Sequence, residues 1–71
     1  MGDVRIELER EEDGRWIAEV PSVPGVMVYA SNANEALQRV SSLLQQVLTG
    51  LVAAGDIKQE DADQALAGIA A

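Results

Sequence analysis

The chain predicts an α+β domain of order β-β-β-α-α, a three-stranded antiparallel sheet with a long helix on one face. Three observations predict it. Val4, Ile6 and Leu8 alternate with Arg5, Glu7 and Glu9, the period of two of a strand with one buried side. Pro21, Pro24 and Gly25 end a second such run and release a third. Beyond Asn32, apolar residues return at i, i+3, i+4 and i+7, the spacing of one helix face.

The first strand is expected over about 3–9 and the second over about 15–20. Between them Asp13-Gly14 is a strong hairpin signal, read here as a two-residue turn with positive φ at both positions. In the second strand Trp16, Ala18 and Val20 share one face, and Ile17 and Glu19 the other. Neither proline can donate to a ladder, and Gly25 frees the backbone to enter a third strand over about 26–30. Val28 then faces one way, Met27 and Tyr29 the other.

Asn32 as N-cap and Glu35 three residues later read as a capping box. The helix is expected over about 33–54, with Ala36, Leu37, Val40, Leu43, Leu44, Val47, Leu48, Leu51 and Val52 apolar and Gly55 as its cap. Gly50 inside it marks either a close helix contact or a weak point. Asp56 and Gln59 repeat the capping pattern, and Ala62, Ala65, Leu66 and Ile69 form a narrow stripe on a second helix over about 58–70. The paired apolar residues late in the first helix exceed what three strands cover. They call for the second helix or another copy of the chain.

At 71 residues the chain is one small domain, residues 1–71. Such a chain buries about 60% of the surface its unfolded form exposes, so monomer stability is marginal. With no Cys and no His, disulfides and Cys/His metal sites are excluded, which leaves oligomerisation or a bound partner as support. Hydrophobic residues make up 48%, yet Trp16 and Tyr29 are the only aromatics, so the core is aliphatic. Twelve acidic residues against five basic ones give a net charge of −7. That opposes nucleic-acid binding and suits a basic protein partner, or simply keeps a small protein dispersed. Met1 leads directly into a charged strand, and no apolar run approaches the roughly 20 residues of a membrane span. A cytoplasmic protein is expected.

No catalytic, cofactor or metal residue is expected. Asp3, Glu7, Glu9, Glu11, Glu12 and Asp13 read as a solvated face, not as carboxylates converging on a cation. Glu19 shares its strand face with Ile17, not with an acid–base partner. Ser31, Ser41 and Ser42 have no His to activate them, and Lys58 belongs to a different helix start. Trp16 falls with the core set. Ile17, Met27 and Tyr29 lie on the sheet face away from the helix, with two readings open: an exposed binding surface, or a surface covered by the second helix.

The segment from Arg5 to Val40 resembles the HicB family of antitoxins, in their small N-terminal domain. The resemblance is carried by I-E-L-E-R-E-E-D-G-R-W-I-A-E-V-P-S-V-P-G-V-M-V-Y-A and then by N-x-x-E-A at the helix start, together about half the chain. It implies a partial, degenerate RNase H-like fold and a binding protein, not an enzyme. Family members neutralise HicA, a small basic ribonuclease that cleaves mRNA, by covering its active surface. The family fold closes with a fourth strand beside the first. Residues 56–71 have helical spacing instead, which leaves strand 4–9 open to strand addition by a partner or a second copy. Family repressors add a C-terminal DNA-binding domain. One short acidic helix stands here in its place, so no direct nucleic-acid contact is expected.

The expected function is therefore a HicB-like antitoxin against a HicA-type toxin, contacted through Glu7, Glu9, Glu19, Ile17, Met27 and Tyr29. The alternative is a solitary HicB-fold module with a structural role and no toxin partner. Either is expected to form a homo-oligomer, a dimer or tetramer.

Overall fold

The structure is a computed structural model, and it describes residues 4–70, with side chains from Val4 to Ala67. Asp3 and the side chain of Ile69, both assigned to elements above, lie outside the described residues. The order is β1 (Glu7–Arg10), β2 (Trp16–Glu19), β3 (Met27–Ala30), α1 (Ala33–Ala53) and α2 (Gln59–Ala70). The sheet runs β1-β2-β3, antiparallel throughout, so the α+β layout is as expected.

The β1–β2 connection differs from the two-residue turn. The Gly14 N–H donates to the Glu11 carbonyl (3.0 Å) and the Glu11 N–H to the Arg15 carbonyl (2.7 Å). Only Gly14 has positive φ (90°), so this is a type I turn closed by a glycine bulge. Asp13 stays at negative φ, where its carboxylate accepts from the Arg15 backbone N–H (3.0 Å) and guanidinium (2.7 Å).

Two turns in succession join β2 to β3. Val23 N–H donates to Val20 carbonyl, and Val26 N–H to Val23 carbonyl, with Gly25 at φ 86° after Pro24. Pro then positive-φ Gly is the type II signature. Val23 projects from the double turn into the core.

Asn32 caps α1 by accepting from the Glu35 N–H at 2.8 Å. The reciprocal half of the expected capping box is replaced. Glu35 pairs with Arg39 (3.0 Å) and accepts from the Ser31 hydroxyl (3.3 Å). At the other end Asp56 N–H donates to Leu51 carbonyl (2.9 Å) and Gly55 N–H to Val52 carbonyl (3.0 Å), with Gly55 at φ 80°. This is a Schellman motif. Asp56 therefore closes α1 and does not cap α2. The Lys58 carbonyl accepts from Asp61 and Ala62 N–H, placing Lys58 before the first turn of α2. Space around Gly50 is open, so it marks no close contact.

The core joins Ala18, Val20, Val23, Val26 and Ala30 to Ala36, Val40, Leu44 and Leu48 on one α1 stripe, and to Ala62 and Ala65 of α2. Complete burial of Leu44 and Leu48 contributes about 1.5–3 kcal/mol each. Trp16, Leu43, Val47, Leu51, Val52 and Leu66 are half-buried against this cluster, as the second α1 stripe and the Trp16 reading require. α1 packs on β2, β3 and α2.

Leu8 and Leu37 are the exceptions. Leu37, on the expected apolar face of α1, is 37% exposed, and Leu8, expected in the core, is 38% exposed. A helix about 10 Å wide covers two strands spaced about 4.8 Å apart, and α1 lies over β2 and β3. Val4 and Ile6 reach the core margin as half-buried residues; all of β1 itself is exposed.

Candidate functional site

The six candidate residues share the sheet face away from α1. In register, Glu7 opposes Glu19 and Glu9 opposes Ile17. Across the next ladder, Ile17 opposes Tyr29 and Glu19 opposes Met27. The result is a two-dimensional lattice with Ile17 half-buried at its centre, carboxylates on the β1 side and apolar groups on the β3 side. Met27 is 50% and Tyr29 42% exposed. α2 packs on α1, so of the two readings for this face, the open one holds among the described residues.

Two cations touch the lattice. Arg5 lies 3.7 Å from Glu7, a long exposed contact worth little. Arg15 matters more. Its guanidinium stands 4.8 Å from the Tyr29 ring centroid and pairs with Asp13 at 2.7 Å. Sequence reasoning left Arg15 out of the site, although its parity with Ile17 and Glu19 was visible. The Asp13 carboxyl titrates below its ordinary value, chiefly because it accepts the Arg15 backbone N–H. Arg15 is thus held over the Tyr29 ring by its bonds to Asp13 in the hairpin, and among the described residues Arg5 is the only cation within ion-pair distance of Glu7, Glu9 or Glu19.

The Glu7–Glu19 pairing carries a cost. Like charges directly opposite in an antiparallel ladder destabilise by roughly 0.2–1 kcal/mol. Glu7, Leu8, Glu9, Ile17 and Glu19 line one shallow groove that runs from this face to the β1 edge. Among the described residues no group of three or more acidic side chains is placed to hold a metal ion, and no buried side-chain polar atom lacks a partner. No described helix is long and apolar enough to cross a membrane. Taken together these features define a small α+β fold whose sheet face away from α1 is mixed acidic and apolar and is open among the described residues.

The chain is similar to a UPF0150 protein of Archaeoglobus fulgidus, 35% identical over 43 residues. The alignment takes in 61% of this chain and 62% of that protein, so less than two thirds of the relative's length is spanned. No family model matches, and no solved structure matches.

Proposed function

We propose that the chain is a HicB-like antitoxin that neutralises a HicA-type ribonuclease by covering its RNA-binding surface. The observation that carries this reading is the open lattice of Glu7, Glu9 and Glu19 around Ile17, Met27 and Tyr29. An enzyme that grips mRNA presents lysines and arginines to phosphate. A row of carboxylates competes for those cations, speeds encounter and fixes register. Ile17, Met27 and Tyr29 supply apolar area that leaves water on docking, and Tyr is favoured at such centres. The cost of opposing Glu7 to Glu19 is recovered when a partner cation sits between them. In this reading the chain acts in the cytoplasm, is not an enzyme, needs no cofactor and does not itself touch nucleic acid.

Co-expression with the neighbouring open reading frame, co-purification and an RNA cleavage assay test the proposal. The expected result is a stable complex with a small basic protein whose cleavage is silenced. Lysine at Glu7, Glu9 and Glu19 together is expected to weaken that complex at least tenfold, and unchanged affinity removes this face from the site.

One observation favours a second reading, a self-associating module. Leu37 on α1 is 37% exposed, and on the other flank of the buried stripe Leu43 and Val47 are only half-buried, apolar surface that a second copy could cover. Light scattering on the purified chain separates the two: a dimer or tetramer that captures no toxin supports the module.

A further inference from the structure

The two edges of the sheet differ. In β3, Arg39 reaches over from α1 and donates to the outward Tyr29 carbonyl at 2.9 Å. Among the described residues the β1 edge has no such cover, and all four of its residues are exposed. Which backbone groups it presents follows from the bonds at the hairpin. Glu11 N–H donates to Arg15, so Glu11–Arg15 is a bonded pair. Bonded and non-bonded pairs alternate in an antiparallel ladder. Glu9–Ile17 and Glu7–Glu19 are then bonded, while Leu8–Ala18 and Arg10–Trp16 are not. The Val20 N–H bond to Val26, on the other side of β2, agrees: even residues of β2 bond toward β3 and odd ones toward β1. The N–H and C=O groups of Leu8 and Arg10 therefore point away from β2, along a free edge.

Around that edge the chemistry is two-sided. On the outer face stand Glu7 and Glu9, with Glu19 behind them. On the inner face Leu8 is exposed and Ile6 half-covered, where α1 does not reach. A second copy fits this edge badly, because antiparallel pairing of two β1 strands sets Glu7 and Glu9 of each beside those of the other. We infer that β1 accepts a fourth strand from a basic partner: an extended segment with Lys or Arg at alternate positions over Glu7 and Glu9, and aliphatic residues between them over Leu8 and Ile6. Backbone bonds to Leu8 and Arg10 give affinity, and the alternation gives specificity. The inference does not require the partner to be a ribonuclease.

The probe is a blocked octapeptide of alternating Lys and Val, with a block isomer, four Lys then four Val, as control. At low salt the alternating peptide is expected to bind and to slow amide exchange at Leu8 and Arg10 at least tenfold, with the block isomer at least tenfold weaker. Leu8→Pro deletes an outward donor without touching the β2 ladder and is expected to weaken binding at least tenfold, whereas Leu8→Ala keeps the donor and loses less. If Leu8→Pro does not fold, amide exchange in the unaltered chain decides alone. Equal binding of the two peptides, absence of binding, or binding that leaves Leu8 and Arg10 amides unprotected overturns the inference. Toxin capture that fails while the alternating peptide still protects these amides overturns the antitoxin reading and leaves the edge assignment standing.

Discussion

The two faces of the sheet are made from alternate residues of the same three short strands, yet they obey different rules. The centre of the inner face is narrow in chemistry: Ala18, Ala30 and Val20 meet Ala36, Val40 and Leu44 of α1, all buried and all aliphatic. Small side chains on both sides let helix and sheet approach closely, so shape governs there. The outer face is mixed, exposed and internally repulsive where Glu7 meets Glu19. The difference teaches where stability resides and where it has been given up. A fold of this size holds its shape with one face and leaves the other uncovered.

Substitutions at matched positions break or sharpen that contrast. The largest effect is expected at Leu44, which is 0% exposed. Leu44→Ala should cost about 2–5 kcal/mol and unfold much of the population at 37 °C. Met27→Ala on the opposite face should stay within about 0.5 kcal/mol, and paired thermal melts followed by Trp16 fluorescence check both. Next comes a pair of chain neighbours. Ala18→Leu overfills the helix–sheet gap and should cost about 1–3 kcal/mol, while Ile17→Val, one residue away, should cost far less. Equal costs at 17 and 18 would erase the distinction between the faces. The smallest effect concerns charge: Glu19→Gln relieves the Glu7 pairing and should stabilise by a few tenths of a kcal/mol, a gain that fades in high salt.

Much of the inner face was legible from pattern alone. The α1 stripe of Ala36, Val40, Leu44 and Leu48 follows helical periodicity, and Asn32 and Gly55 mark its ends because capping chemistry is local. The candidate lattice was legible for the same reason, since strand parity alone places Glu7, Glu9, Ile17, Glu19, Met27 and Tyr29 together. The errors lie where two local rules compete or where a third dimension decides. Asp13 had two options, and its bonds to Arg15 selected the bulged turn. Glu35 had its own cap and Arg39 as partners, and the cation won. Asp56 was needed first by the end of α1. Leu8 follows the alternation of a buried residue, but periodicity says nothing about how far a helix reaches across a sheet.

Order along the chain equals order in space: β1, β2 and β3 pair as they are synthesised, and α1 returns at once over the last two. No strand waits for a distant partner, so loops closed in forming the native contacts are short and folding faster than that of all-β domains is expected. On the ribosome each pairing can form as the next element emerges, N-terminal parts first. Strand-exposing intermediates, which make sheets prone to aggregation, are therefore expected to be brief, although β1 stays exposed in the finished fold.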